Sequence, residues 1–152
     1  MSACVFIASD FSLAEYEPPQ DYPVYIDIDK GTIDDGGADD NYFLMAFPDV
    51  VDYTDKKYGV SLEWHCYTDG RAKRIIDYIK NILQYTNCVE FWRVWLAVYD
   101  EYECRPFVHR KTVSIDELSV EHIKEISSAA IWNNPDKMLP DRPSFYCLTI
   151  TR

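Results

Sequence analysis

Apolar residues recur along this chain with two periods, and the two periods divide it into strands and helices. Val5-Phe6-Ile7-Ala8 is a short continuous apolar run, the pattern of a strand buried on both faces. From Tyr22 to Ile28 the chain alternates, placing Val24, Ile26 and Ile28 on one face and Tyr25 and Asp27 on the other. Asp29-Lys30-Gly31 supplies hairpin-turn chemistry, with Gly31 at the position needing positive φ, and Thr32-Ile33 begins the return strand. Asp34 to Asn41 reads as a solvated acidic loop. Tyr42 to Phe47 is another apolar run, stopped by Pro48, and Val60 to Tyr67 is expected as a strand.

The period then changes. Ala72, Ile75, Ile76, Ile79, Ile82 and Leu83 form one helical stripe, and Asp69 is the expected N-cap of the long helix that carries it. Arg71, Lys73, Arg74, Asp77, Lys80 and Asn81 are assigned to its polar side. Cys88 to Tyr99 has apolar residues on both faces, as a central strand does, and Phe107 to Ile115 is its expected antiparallel partner across the charged turn Asp100–Arg105. A short helix is expected from Ser119 to Ser128, on Val120, Ile123 and Ile126. A loop from Asn133 to Pro143 leads to a last strand, Phe145 to Thr151. Neither repeats nor composition breaks divide residues 1–152, which predicts one α+β domain: a mainly antiparallel sheet with one long and one short helix.

Charge changes this picture most. Between residues 10 and 55 there are thirteen acidic side chains and one basic one, Lys30, so this third carries −12 while the whole chain carries −11. No fold needs such a concentration, because like charges repel; it produces a one-sided field that attracts cations and basic surfaces. Direct nucleic-acid binding calls for the opposite sign and is not expected. Tyr16, Tyr22, Tyr25, Tyr42, Tyr53, Tyr58, Tyr67 and Trp64 lie in or beside the acidic third, and Tyr99 and Tyr102 flank the charged turn. Acids that steer and aromatics that anchor are the makings of a protein-binding face. Its candidate residues are Asp27, Asp29, Asp34, Asp35, Asp39, Asp40, Tyr42, Asp52, Tyr53 and Asp55. The competing account is that these rings are core residues with their hydroxyls in water.

Other chemistry finds little support. Asp27-x-Asp29-x-Gly31 opens like an EF-hand loop, but the glycine comes one place early and Ala38 stands where the closing bidentate glutamate belongs, so no calcium or other metal is expected. The five cysteines (4, 66, 88, 104 and 147) show neither C-x-x-C nor zinc-finger spacing, which suggests reduced thiols in a cytoplasmic protein. His65 and Cys66 are neighbours and would point to opposite faces of a strand, so they make no dyad; His109 reads as a strand residue and His122 as part of a solvent face. No H-E-x-x-H, G-x-S-x-G or P-loop pattern is present, no cofactor is implied, and no apolar stretch reaches the ~20 residues of a membrane span. An enzyme whose site is assembled only by the fold stays open as an alternative, as does a nucleic-acid mimic that inhibits a DNA-binding protein.

Three blocks carry a family resemblance: Val89-Glu90-Phe91-Trp92-Arg93-Val94-Trp95-Leu96, then Arg105-Pro106 through Thr112-Val113-Ser114-Ile115-Asp116-Glu117-Leu118, then Arg142-Pro143-Ser144-Phe145-Tyr146-Cys147-Leu148-Thr149. In this order, with the size and acidity of the chain, they resemble the small α+β immunity proteins of bacterial polymorphic toxin systems. The blocks are strand and helix signatures in the C-terminal two thirds, and no functional residue transfers with them. The resemblance implies a stand-alone cytosolic protein that binds and blocks a cognate toxin domain, often a basic nuclease.

Overall fold

A computed structural model describes residues 3–96, 108–127 and 145–152. Its framework is a six-stranded sheet built from β1 (Ala3–Ser9), β4 (Phe43–Ala46), β5 (Tyr58–Glu63), β6 (Cys88–Trp95), β7 (Val108–Ser114) and β8 (Phe145–Thr151). The strand order is β4-β5-β1-β6-β8-β7, antiparallel throughout except for the β7–β8 pair. A separate hairpin, β2 (Tyr25–Asp27) and β3 (Thr32–Asp34), and two helices, α1 (Asp69–Ile82) and α2 (Val120–Ser127), complete an α+β fold. The charged turn 100–105 with Tyr102 and Cys104, Tyr99, and the loop 133–143 lie outside the described residues.

Alternation along the strands separates the two faces of the sheet. Ile7, Leu44, Val60, Leu62, Val89, Phe91, Val113, Leu148 and Ile150 point toward α1 and α2, and the stripe Ala72, Ile75, Ile76, Ile79, Ile82 of α1 closes on them. Each fully buried aliphatic chain here contributes about 1.5–3 kcal/mol, which exceeds anything helix propensity supplies. The other face has its own smaller core of Phe6, Ala8, Val50, Trp92, Val94, Phe145 and Cys147. A 3-10 turn, Pro48–Asp52, covers part of it. Phe6 stacks on Trp92 at 5.9 Å, with Phe47 at 4.9 Å and Tyr53 at 5.5 Å.

Three expectations need correction. The strand after Cys88–Trp95 in sequence does not pair with it: β8 inserts between β6 and β7 and runs parallel to β7. The reason lies in side-chain polarity. Phe145, Tyr146, Cys147 and Leu148 are all buried and fill an interior position, whereas Arg110, Lys111 and Thr112 are exposed and suit an edge. The parallel pair is bridged in sequence by α2, as a parallel connection requires. Next, the N-cap of α1 is Thr68, not Asp69: Arg71 N–H donates to Thr68 Oγ1 at 3.0 Å, and Asp69 is the first helical residue. Finally, β5 ends at Glu63 rather than Tyr67, because Tyr67 turns inward and its hydroxyl sits 2.9 Å from Asp69 Oδ1 and 3.1 Å from the Val120 carbonyl. That contact ties the start of α1 to the start of α2.

The edge strand β4 is protected. Tyr16 and Leu44 exchange backbone hydrogen bonds at 2.9 Å, and Ala46 N–H donates to Glu15 Oε1 at 2.8 Å. These contacts occupy backbone groups that would otherwise template a foreign strand.

Candidate functional site

The acidic third does not form one continuous face. It divides between two places. Asp27, Asp29, Asp34, Asp35, Asp39 and Asp40 belong to the β2–β3 hairpin and the loop that runs from it to the N-terminus of α1. Asp52, Tyr53 and Asp55 belong to the 3-10 turn and its exit on the face away from the helices.

Turn chemistry builds the hairpin. Asp27 accepts the Lys30 N–H at 3.0 Å and the Lys30 ammonium at 2.9 Å, closing the turn, and Gly31 takes φ +63° where a Cβ would be strained. Past β3, Asp34 and Asp35 each accept a backbone N–H two residues on, from Gly36 at 3.0 Å and Gly37 at 3.3 Å, and both glycines have positive φ. Two successive Asx turns bend the chain back toward α1.

The loop is anchored, not merely solvated. Asp35 is 3% exposed and its carboxylate lies 2.8 Å from Arg71 Nη1; Arg71 is 0% exposed. Arg71 also donates from Nε to the Ala38 carbonyl at 3.1 Å and from Nη1 to the Cys66 carbonyl at 3.0 Å. The Asp35–Arg71 contact is ionic rather than a well-aligned hydrogen bond, and Arg71 Nη2 finds no hydrogen-bond acceptor among the described residues. The guanidinium holds the Asp35 carboxyl below the usual carboxylate range, outweighing burial, which acts the other way. Arg71 therefore belongs to the interior and not to the polar side of α1. A guanidinium in the first turn of a helix opposes the macrodipole, which is the one hint in the sequence that it has an acidic partner.

The neighbouring acids also have partners, though they stay nearer the surface. Asp39 lies against the first turn of α1, where its carboxylate fills the space beside Gly70, and it accepts a hydrogen bond from Thr68 Oγ1 at 3.4 Å. A carboxylate here meets the free N–H groups and positive end of the helix. The Tyr22 hydroxyl donates to Asp40 Oδ1, and this contact raises the Tyr22 pKa. Tyr42 is buried and stacks on Tyr16 at 4.4 Å, its hydroxyl pKa raised mainly by burial. Of the ten candidate residues, Asp35 and Tyr42 are thus interior groups and give a partner no surface. Their roles are an ion-pair clamp and a core ring.

What the acidic segment does expose is apolar. Val24, Ile26, Ile28 and Ile33 are 50%, 67%, 87% and 63% exposed. Ile26 pairs with Ile33 across the hairpin, so these two side chains share one face, while Tyr25, Asp27, Thr32 and Asp34 share the other; Val24 precedes β2 and Ile28 lies in the turn. Sequence alternation had identified the row, but not that nothing among the described residues covers it. A cleft of about 410 Å³ between Glu17, Asp21, Tyr22, Val24, Phe43 and His65 continues the row onto β4.

The second place is a polar cleft of about 430 Å³ bounded by Asp52, Tyr53, Asp55, Lys56, Glu90 and Arg110. Several of its polar groups hold the fold. Glu90 Oε2 accepts Trp92 Nε1–H at 2.7 Å and Thr54 Oγ1–H at 2.6 Å, Lys56 pairs with Asp10 at 2.7 Å, and the Arg110 guanidinium lies 5.1 Å over the Trp92 ring. Burial pushes the Cys147 thiol up to about 12, which makes it a poor nucleophile at neutral pH. His122 is not a solvent-face residue: its Nδ1 accepts the Ser119 N–H at 3.1 Å, closing the start of α2 as the glutamate of a capping box would. Among the described residues no cluster of His, Cys, Asp and Glu could hold a metal ion, and no helix is long and apolar enough to cross a membrane. Compared with protein-family models, curated proteins and solved structures, the chain matches none of them.

Proposed function

We propose that this protein captures and blocks a basic protein partner, as the immunity proteins it resembles do with toxin domains. The observation that carries the reading is the clamp under the acidic segment. A loop that served only solubility would need no internal anchor, yet this one is fixed to α1 by Asp35, Arg71, the Ala38 carbonyl and Asp39. Fixing the loop before encounter reduces the ordering cost of binding, and the field of the exposed acids accelerates capture of a cationic surface.

The test is stopped-flow association, at three or more salt concentrations, with the partner recovered by pull-down from the native host. The association rate should fall steeply with ionic strength while the dissociation rate changes little, because steering acts over ~8 Å at physiological salt and docked contacts are desolvated. Association indifferent to salt would refute the reading.

A further inference from the structure

We propose that the apolar face of the β2–β3 hairpin is a docking platform for an amphipathic, basic helix of the partner, an inference that rests on the capture of a basic protein proposed above. A two-stranded hairpin alone is marginal in water and ordinarily needs a third strand or a helix packed on it. Here Ile26 and Ile33, flanked by Val24 before β2 and Ile28 in the turn, are the side chains such an element would cover, and the four stand 50–87% exposed. The hairpin is nonetheless well formed, with its turn closed by Asp27 and Gly31 and its base tied to α1 through Asp35.

Dimensions select the occupant. Two strands ~4.8 Å apart with their side chains offer a surface about as wide as one α-helix, ~10 Å across. β2 itself spans two residue steps of ~3.3 Å, about 7 Å, with Val24 before it and Ile28 in the turn after it, a length that matches one to two helical turns of ~5.4 Å and hence apolar contacts at i and i+3 or i+4. Charge selects its flanks. Asp29 lies at the hairpin tip and Asp34 on the back of the same two strands, within a Debye length of the platform, and the hairpin's own cation, Lys30, is paired with Asp27. A helix with lysines or arginines beside its apolar stripe is attracted there; a second copy of this chain brings the same negative charge and is repelled. Phe43, 40% exposed, extends the platform through the shared cleft.

The probe is a synthetic helix of about 14 residues with leucines at i, i+3, i+4 and i+7 and lysines elsewhere, against a scrambled peptide of the same composition. It is titrated into the isotope-labelled full chain and followed by amide chemical shifts. Shifts confined to residues 22–34 and 43 are expected, with affinity reduced about tenfold or more by scrambling or by Ile26→Thr/Ile33→Thr. Threonine keeps the strand preference and these side chains are exposed, so the variant keeps its fold, which circular dichroism confirms. Shifts centred elsewhere, equal binding of the scrambled peptide, or self-association of the wild type through the hairpin would each overturn the platform. Unchanged affinity of the Thr/Thr variant for the basic partner itself would overturn it too, while leaving the capture reading, tested by salt, intact.

Discussion

Replacing Asp35 by Ala should destabilise the protein by about 3–5 kcal/mol, the cost of leaving one member of a buried ion pair without its partner. The geometry supports a value at the upper end of what a single polar change does. The charges lie 2.8 Å apart, with exposures of 3% and 0%. At that distance and an effective dielectric near 20 the gross attraction is about 6 kcal/mol, which must offset the desolvation of both groups. Removing Asp35 forfeits the attraction but not the burial of Arg71, which then keeps the Ala38 and Cys66 carbonyls, hydrogen bonds to a charged group worth about 1.5–3 kcal/mol each, and a contact to Cys66 Sγ at 3.4 Å. Against a total stability of roughly 5–15 kcal/mol the loss is large. Removing both charges is a different perturbation. Asp35→Leu/Arg71→Met leaves no orphaned ion and should recover most of the loss.

The assay is urea unfolding of the wild type, both single variants and the double variant, giving a coupling energy of several kcal/mol. Acid adds an independent check. The folded Asp35 pKa is depressed, so the pair's contribution is fully present above the unfolded carboxylate value of about 3.9 and is lost as pH falls through the folded pKa. Wild type should therefore lose stability more steeply than Asp35→Asn below about pH 4. A single-variant cost under about 1 kcal/mol, the value of an exposed pair, would refute the clamp and with it the argument for a preordered loop.

Four further outcomes are expected. Thr68→Ala should cost about 1 kcal/mol in thermal or urea unfolding, because the Arg71 N–H loses its acceptor, whereas Asp69→Ala should cost clearly less. Thiol titration should find the four described cysteines free: Cys66, which is exposed, should react first in the native state, and Cys147, with its pKa pushed up to about 12, only on unfolding. Calorimetric titration with millimolar calcium should give no saturable heat, since Ala38 cannot close the loop around the ion; micromolar affinity would contradict this. Asp29→Asn/Asp34→Asn should promote concentration-dependent self-association in sedimentation, and adding Ile26→Thr/Ile33→Thr should abolish it.

Periodicity made most of the architecture legible, because it reports burial directly. The α1 stripe, the alternation of Val24-Ile26-Ile28 and the doubly apolar β6 each predicted their element, and the hairpin turn followed from Asp29-Lys30-Gly31. Strand order was not legible. Periodicity says which strand is buried but not beside what, and β8 reaches its interior place only through long-range pairing with β6 and β7. The second core was missed for a related reason: Val50 and Tyr53 sit in a 3-10 turn too short to show a period. The clamp was missed because composition treats all carboxylates alike. Asp34 and Asp35 are adjacent and chemically equivalent in sequence, yet one faces water and the other faces Arg71.

The placement of the acids has a consequence for the free protein that is separate from capture. An exposed hairpin with an aliphatic face and unpaired strand edges is an aggregation hazard, and hydrophobicity alone would drive two copies together through Ile26 and Ile33. Asp27, Asp29 and Asp34 are carried on the same short element, so bringing two hairpins into contact also brings their carboxylates together. Repulsion of this kind opposes a copy of itself while attracting an oppositely charged surface, and the same charges therefore discriminate between wrong and right partners by sign. Solubility and steering are then not rival explanations of the −12 segment. A protein that displays an apolar docking face before its partner arrives needs the first in order to perform the second, and it needs the acids on the docking element rather than spread over the surface. Residues 56–152, with a net charge near +1, fit that requirement. They supply four of the six strands of the main sheet and both helices, and the excess charge is left to the segment proposed to meet the partner.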